Sequence, residues 1–584
     1  MPKTPSLDLP RTLGLRAILA GVAGLAGSYA VAGQTPTFVA APVESWLAAT
    51  VPDVLLRIAI TIVTPLGESL GIEHLGQALN LGFALVLGVG LLSALALAAL
   101  ATGRVRGDRA TTVALALVLP WLAVFVLTAD LASALGAGLA SAIVVSLGEL
   151  ADSGLVASIG AADAAGADTD GGRRDLLGSL AGAVVVALGG FFIGNRSAGS
   201  ETARSPQPLS ELGGNRSANA TRAAGTDTAT PTENGPNAGN SGDGSGPDGT
   251  ETDGTDEANG DGEADGNGGG SPAGIDQLLA TARRRSLSVP DLEGLLSGED
   301  FYEVDINSID PDVRAADWSL SISGAVENEI SIGYDDLTSM AAEHRFATLR
   351  CVSDTLNGAE ADTALWTGVP VSGLLERAES TGKHLRIDAA DDYFQGFSID
   401  ELENAMIVYG MDGMTLPRGH GAPVRLLVPG HWGEIQVKWL ESIEVRTQPV
   451  KGFWERRGWH GTGEAHTVAK LHARNRLGDG RVQVGGHAYA GARGVKRVEL
   501  SIDGGDWRET ELSKPLPAAP SERERGLPAA EAAWRQWTHT YDPPDAAHEV
   551  RVRAVEADGT IQPREVAEPY PRGATGWVSV TVEP

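Results

Sequence analysis

Residues 347–355, with the sequence ATLRCVSDT, hold the only cysteine of this 584-residue chain. Cys351 directly follows an apolar run of the kind that forms a buried strand. A single cysteine excludes an intrachain disulfide and any zinc or iron–sulfur site that is built from several cysteines. A metal site with one thiolate ligand stays open. The simpler interpretation, in which Cys351 is a small apolar residue of the core, stays open as well.

Further motifs follow this cysteine in a fixed order. They are LWTGVPV (365–371), YGMDG (409–413), GHGAPVRLLVPG (419–430), VKWL (437–440) and GFWERRGW (452–459). In this order they resemble the molybdopterin-binding domain of the sulfite oxidase family, and the resemblance extends from about residue 301 to residue 582. It implies an enzyme that moves an oxygen atom in a two-electron reaction on a small substrate. The implied cofactor is molybdenum-molybdopterin, with tungsten as the alternative metal.

The resemblance also implies roles for individual residues. Cys351 would be the catalytic metal ligand, because a thiolate is a soft donor suited to a metal already held by two dithiolene sulfurs. His420, Arg425 and Lys438 would bind the pterin phosphate, a dianion that needs fixed positive partners. Each of these three could also be an ordinary charge on a solvated loop. The remaining cofactor-binding candidates are Tyr302, Asp391, Gly433 and Gln436.

The chain departs from sulfite oxidases where that family binds its anion. Sulfite oxidases continue from the metal cysteine with Asn-Arg-Arg, whereas this chain has Asp354, Thr355 and Leu356. A further family arginine is replaced by Val304. A desolvated oxyanion needs paired positive charge, so these differences argue against sulfite and leave a sulfoxide reductase as an alternative. A metal-free cell-surface binding protein on the same scaffold is the alternative from another class.

The first 194 residues predict an all-α transmembrane bundle. Five uncharged apolar runs approach the length of a membrane span, and they cover 17–33, 75–103, 110–129, 131–148 and 176–194. With five spans, the basic segments all lie inside and everything after residue 195 lies outside. Those basic residues are Lys3, Arg11, Arg16, Arg104, Arg106, Arg109, Arg173 and Arg174. A shorter run at 54–67 is interrupted by Arg57, which fits an interfacial or re-entrant segment better than a sixth span.

Two features bear on where the protein works. Residues 172–180, GRRDLLGSL, resemble a twin-arginine export signal, although ordinary positive charge on the inner side of a span explains them too. Both interpretations place the catalytic domain on the extracellular face of the cell membrane. The net charge of −30, with 38 arginines against seven lysines, resembles proteins of salt-loving archaea, in which salt screens the acidic surface. Such acidity makes nucleic acid an unsuitable partner.

The rest of the chain divides by composition. Residues 195–273 predict a disordered acidic linker, and Asn195, Asn215 and Asn219 match the glycosylation sequon. Residues 274–465 mix helices and strands, as expected for an α+β molybdopterin-binding domain. Residues 466–584 alternate in polarity, which predicts an immunoglobulin-like antiparallel β-sandwich. This sandwich resembles the dimerisation domain of the family and implies a possible homodimer.

Electrons need a route to or from the site. The chain has no Cys-x-x-Cys-His motif, and only His74 lies beside an apolar run, so we expect no haem. The expected partner is therefore an external electron carrier: a copper protein, a cytochrome or a quinone-linked membrane subunit.

Overall fold

The computed structural model describes residues 11–58, 62–63, 75–152, 189–190, 193, 206–212 and 272–583. The twin-arginine-like segment and the three sequons lie outside the described residues. Most of the fifth apolar run, most of the linker and part of 54–67 also lie outside them.

The N-terminal part is a bundle of helices. Its elements are α1 (Arg11–Ala32), α2 (Ala40–Thr50), α3 (Asp53–Ile58), α4 (Leu75–Arg106), α5 (Arg109–Thr128) and α6 (Leu131–Asp152). Within the described part of the chain, four segments are long and apolar enough to cross a membrane: Leu13–Ala32, Leu75–Arg106, Arg109–Thr128 and Leu131–Leu150. Helices α1 and α6 approach closely because glycines face each other, and a Cβ on Gly27 would lie 2.2 Å from the Gly136 carbonyl oxygen.

Two sheets build the domain that contains Cys351. Its strands are β1 (Ser319–Gly324), β2 (Ile330–Gly333), β3 (Glu343–Arg350), β4 (Ala361–Pro370), β5 (His384–Ala389), β6 (Phe394–Ser398), β7 (Met406–Met411), β8 (Met414–Thr415), β9 (Arg425–Leu427) and β10 (Leu440–Arg446). One sheet has the order β2-β1-β10-β5-β6, with β1 and β10 parallel. The other is antiparallel, with the order β3-β4-β7-β8 and β9 beside β7.

Helices and one shared core complete this domain. The helices are α7 (Leu209–Leu212), α8 (Pro272–Arg285), α9 (Tyr334–Ser339) and α10 (Val371–Ala378). Buried side chains of both sheets share a single apolar cluster, in which Leu320 and Ile443 come from the first sheet and Ile407 and Leu426 from the second. The combination of helices with one mixed and one antiparallel sheet confirms the predicted α+β class.

A short piece of the predicted linker is ordered, which corrects that prediction for residues 206–212. Pro208 forms a β-bridge with Met414, and the Leu209 amide donates to the Gly413 carbonyl at 3.0 Å. The Leu209 side chain lies against Gly410 of β7, where a Cβ would approach to 2.6 Å. The open edge beside β8 therefore captures a segment whose surrounding composition is typical of disorder.

The C-terminal part consists of two antiparallel sheets. The elements are β11 (Val468–Ala469), β12 (Ala473–Arg476), β13 (Val482–Tyr489), β14 (Val495–Ile502), β15 (Arg508–Glu509), β16 (Glu511–Leu512), α11 (Pro520–Glu524), β17 (Arg535–Tyr541), β18 (His548–Glu556) and β19 (Val578–Val582). The sheets have the orders β11-β13-β17-β16, with β12 on β13, and β15-β14-β18-β19. Their inward residues, among them Val484, Trp537 and Val552, share one core. The alternating residues of the sequence thus mark strands as predicted.

Candidate active site

Cys351 lies in the first turn after β3. Its amide donates to the Glu360 carbonyl at 3.0 Å, and its carbonyl accepts from the Asp354 amide at 3.2 Å. These two bonds close a tight loop at the end of a strand that is buried along almost its whole length. The Cys351 side chain is 8% exposed. The strand and the turn therefore hold the sulfur in a fixed position just below the surface.

The surroundings of the sulfur are acidic. Cys351 Sγ lies 3.0 Å from Ser353 Oγ, which in turn donates to Glu360 Oε2 at 3.0 Å. Burial, and then the charge of Glu360, raise the pKa of the Cys351 thiol, which Ser353 opposes in part. A thiol of this kind is inert at neutral pH as a free group. A bound metal cation would replace its proton, as thiolate ligation requires.

A buried ion triad braces the loop from behind. Arg350 Nε donates to Asp354 Oδ2 at 2.7 Å, and Lys470 Nζ donates to Asp354 Oδ1 at 2.9 Å. Arg350 and Asp354 are fully buried, and Lys470 is nearly so. Burial alone would raise the pKa of Asp354, but the charges and hydrogen bonds of Lys470 and Arg350 hold it below its usual value. The triad links the cysteine loop to the C-terminal domain.

Three cationic or titratable residues gather at a second position. His420 and Arg425 are buried, and Lys438 is 13% exposed. Burial, and then the charges of Lys438 and Arg425, lower the pKa of His420 to about 3, so its imidazole is neutral at ordinary pH. Lys438 Nζ pairs with Asp305 Oδ1 at 2.7 Å and donates to the Gly419 carbonyl at 2.6 Å.

Arg425 is the residue of this group whose charge is least compensated. Its guanidinium donates to the carbonyls of His420 and Gln436, at 3.1 and 3.2 Å, and lies over the Trp366 ring. Among the described residues no carboxylate lies within ion-pair distance of Arg425, and its Nε atom has no hydrogen-bond partner. Burial lowers the pKa of Arg425 to about 10. A buried guanidinium in this state is a site for an anion.

Tyr302 and Gly433 lie between the cysteine and the cationic group. A Cβ on Gly433 would stand 3.1 Å from Tyr302 Oη and 3.2 Å from Cys351 Cα, so the backbone of Gly433 approaches both groups more closely than a residue with a side chain could. Burial raises the pKa of Tyr302, and the charges of both Cys351 and Arg425 act on its hydroxyl. Tyr302 therefore remains a proton donor that adjoins both ends of the site.

The side chains of Asp391 and Gln436 hydrogen-bond to the backbone of the surrounding loops rather than to Cys351 or Arg425. The Gln436 amide group is committed to Val428, accepting from its amide at 2.6 Å and donating to its carbonyl at 2.7 Å. Gln436 thus braces the loop and faces Arg425 through its backbone. Asp391 Oδ1 accepts from the Tyr393 amide, and burial raises the pKa of Asp391 to about 7. Its position relates it to Asp305 and Lys438 rather than to Cys351.

These observations fit a molybdopterin. A buried sulfur offers one soft ligand, and the backbone of Gly433 lies close to it. A buried guanidinium, for which the described residues provide no carboxylate partner, acts on Tyr302 from the other end, where it lies with a lysine and a neutral histidine. A dithiolene cofactor with a phosphate end needs this order of donors.

Several residues of the site were missed by sequence reasoning. Ser353 contacts the sulfur directly, and Glu360 is linked to it through the Ser353 hydroxyl. In the sequence, only their closeness to Cys351 could have indicated these two residues. Glu434, next to Gly433, is buried, and burial together with the charge of Glu455 raises its pKa to about 8. A long-range contact of this type leaves no local signal in the sequence.

Comparison with known proteins gives two consecutive domain matches. Residues 307–454 match the model described as "Oxidoreductase molybdopterin binding domain", and residues 464–570 match "Mo-co oxidoreductase dimerisation domain". Mitochondrial sulfite oxidase of Rattus norvegicus is 27% identical over 318 residues, which are 45% of this chain and 55% of the relative. The chain thus spans about half the length of the mammalian sulfite oxidases that it matches.

Two further likenesses are more limited. A nitrate reductase (NADPH) of Beauveria bassiana is 28% identical over 191 residues, which are 28% of this chain and 21% of the relative. The structure of the sulfane dehydrogenase SoxCD from Paracoccus pantotrophus shares 22% identity at a TM-score of 0.43, covering 50% of this chain and 82% of that one. A structural likeness at this level carries no argument about function.

Proposed function

We propose that this chain is a membrane-anchored molybdenum oxidoreductase of the sulfite oxidase family, which the two domain matches and the sulfite oxidase relatives support. One observation carries the proposal: the buried Arg425 lacks a carboxylate partner among the described residues, at a site that also holds the buried Cys351. An apolar core alone explains the cysteine. It does not explain an uncompensated buried guanidinium at the other end of the same site.

The residues of the site divide the work. When bound, the cofactor supplies two-electron oxygen-atom transfer. Cys351 donates its thiolate to the metal, while Arg425, Lys438 and the neutral His420 hold the phosphate end. The loop bonds of Cys351 and the triad behind it fix the sulfur, so that little reorganisation accompanies the reaction. Tyr302 presents a hydroxyl that can donate a hydrogen bond to an oxygen atom beside the sulfur.

The surroundings of Cys351 favour a neutral substrate over sulfite. Asp354, which stands in the stretch where sulfite oxidases carry their arginines, is committed to the buried triad. The charge that acts most strongly on the thiol is the carboxylate of Glu360, which would repel an anion. A sulfoxide, reduced with two electrons and two protons to a sulfide and water, is the alternative that this pocket favours. Sulfite oxidation is the reaction of the family, so sulfite is the substrate to assay in parallel with a sulfoxide.

The described contacts support an extracellular catalytic domain. Helix α4 is about 48 Å long, so its Leu75 end and its Arg106 end lie on opposite sides of a membrane. The catalytic domain contacts the Leu75 end, through Gln77, whereas Arg104, Arg106 and Arg109 lie at the other end. Positive charge marks the inner side of membrane proteins, which supports an outer position of the catalytic domain.

This topology requires a fifth crossing. Four spans return the chain to the inner side at residue 152, while the catalytic domain that begins near residue 272 contacts the outer side. Residues 189–190 are helical, and a Cβ on Gly190 would lie 2.5 Å from the Ala26 carbonyl oxygen of α1. A fifth span packed on α1 fits this contact. Protease added to intact cells should cut the chain within 213–270 and yield separate anchor and catalytic fragments on a denaturing gel, and full protection would refute this orientation.

The C-terminal domain supports a homodimer, because residues 464–570 match a dimerisation domain. An immunoglobulin-like type remains our proposal for its two-sheet sandwich. The electron carrier is proposed to be an external copper protein, a cytochrome or a quinone-linked membrane subunit. Reduction or oxidation of each candidate after rapid mixing with the protein would identify it.

Metal and cofactor analysis of the purified full chain tests the function. We expect about one molybdenum, or tungsten, per chain and a fluorescent pterin after oxidation. Absence of both would refute the molybdenum function and leave the metal-free binding protein as the proposal to test. On the loaded protein, sulfite with an artificial electron acceptor and a sulfoxide with a reduced artificial donor distinguish the two directions of reaction. Turnover of sulfite alone would overturn the preference for a neutral substrate.

A further inference from the structure

The loop 303–310 touches the membrane bundle through hydrogen bonds. The Ser308 amide donates to Glu44 Oε1 of α2 at 2.9 Å, and Ser308 Oγ donates to the Gln77 carbonyl of α4 at 3.1 Å. In return, Gln77 Nε2 donates to the Asp305 carbonyl at 2.7 Å. Two helices of the bundle therefore hold the loop at two points three residues apart.

An apolar contact reinforces these bonds. Ile309 is 8% exposed and belongs to a buried cluster whose other members are residues of the bundle, such as Val39, Ala84 and Leu92. A catalytic-domain side chain is thus buried by the membrane helices. Arg457 adds a hydrogen bond to the Ala48 carbonyl of α2 at 3.1 Å.

The same loop also reaches the cationic group. Asp305 Oδ1 pairs with Lys438 Nζ at 2.7 Å, and Glu303 Oε1 lies 3.6 Å from His420 Nε2. The backbone of Asp305 is held by Gln77 while its side chain holds Lys438. The loop therefore contacts the bundle on one side and the residues assigned to the phosphate on the other.

Glu44 shows that this contact is built rather than incidental. Its side chain is fully buried, and burial raises its pKa, an effect that the hydrogen bonds from Ser308 and Asn80 oppose. A carboxyl group is costly in such a place unless donors meet it. One of these donors, the Ser308 amide, belongs to the catalytic domain, so the bundle carries a polar group whose partner is the docked loop.

We propose that the membrane bundle is a positioning element of the cofactor site, which it acts on through the loop 303–310. Glu44, Gln77 and the pocket for Ile309 fix the loop, and the loop fixes Lys438. The identity of the ligand as a pterin rests on the proposed function, whereas the docking of the loop does not. The helices would then act as more than a membrane anchor.

Substitution of Ile309 tests the proposal without touching the cofactor residues. Ile309→Asp places a charge in the apolar cluster and should release the loop, whereas Ile309→Leu should retain it. Ile561→Asp is the matched control, because Ile561 is 44% exposed. All variants are made in the full chain in lipid nanodiscs. The catalytic domain should fold in each, since the position packs against the bundle.

Two readouts separate docking from its consequence. Hydrogen exchange across 303–310, measured on cofactor-free protein, should accelerate at least about tenfold in Ile309→Asp only. Pterin release from loaded protein should accelerate by about tenfold in the same variant, with Ile309→Leu resembling the wild type. Unchanged exchange would overturn the docking. Faster exchange with unchanged pterin release would overturn the positioning role. If the wild type carries no pterin, the proposed function fails, and the exchange measurement still decides the docking.

Discussion

Replacement of Asp354 by Asn should destabilise the catalytic domain strongly. Asp354 is the only anion of the buried triad, so the variant would leave Arg350 and Lys470 as two adjacent buried cations. The Asn side chain keeps the shape, but it has one acceptor oxygen where Asp354 uses two. The variant therefore loses the negative charge together with one of the two acceptor atoms.

The expected loss is about 3–5 kcal/mol of unfolding free energy, the range found when one partner of a buried ion pair is removed. Solvent cannot screen the two uncompensated charges, because Arg350 and Asp354 are 0% exposed and Lys470 is 4% exposed. The folded-state pKa of Asp354 is depressed, so its contribution is complete above the ordinary value of 3.8 and is lost as pH falls through the folded value. The variant should therefore differ most from the wild type at neutral pH and least in strong acid.

Urea unfolding followed by tryptophan fluorescence measures the effect. With a slope of about 3 kcal/mol/M, the midpoint should fall by about 1 M or more. Trp432, whose ring centre lies 5.0 Å from the Arg350 guanidinium carbon, reports from beside the triad. Asp479→Asn is the control, because its pair with Arg481 is half exposed and should give no measurable change.

A double variant separates charge from packing. If uncompensated cations cause the loss, Lys470→Met added to Asp354→Asn should recover part of the stability. An Asp354→Asn midpoint equal to that of the wild type would refute the reasoning. A double variant that is less stable than the single would assign the loss to packing instead.

Three further predictions concern the site. Cys351→Ser should lose molybdenum and activity while keeping the circular dichroism spectrum, because one buried sulfur is exchanged for a hard donor; normal metal content would contradict the ligand role. Arg425→Ala should weaken pterin retention about 10- to 100-fold, with Arg425→Lys intermediate, since a charged hydrogen-bonding group is removed; equal pterin content in all three proteins would show that Arg425 binds no anion. Gly433→Val should exclude the cofactor without unfolding the domain, because its Cβ would stand 3.1 Å from Tyr302 Oη; unchanged pterin content would place the cofactor elsewhere.

The sequence by itself predicted much of the architecture and the first group of site residues. The architecture was predictable because it follows from local periodicity, which can be read without knowing the fold. This holds for the hydrophobic runs of membrane length, the alternating strands and the mixed middle region. Cys351, His420, Arg425 and Lys438 could be identified as candidates because they lie in short motifs along the chain. In the structure, Arg425, His420 and Lys438 gather at one position, and Tyr302 and Gly433 lie between that position and Cys351.

Only the tertiary structure decided how these pieces depend on one another. In the sequence, Asp354 only marked a departure from the family's Asn-Arg-Arg stretch. In the fold it is the centre of a buried triad, which no local pattern predicts because Lys470 lies 116 positions away in the sequence. Residues 206–212 had the composition of a linker, yet a free strand edge orders them. Ser308 and Ile309 meet the N-terminal apolar helices, and Ser308 does so across 264 positions. Local sequence fixes periodicity and side-chain chemistry, whereas burial and the pairing of charges are set by contacts between distant segments.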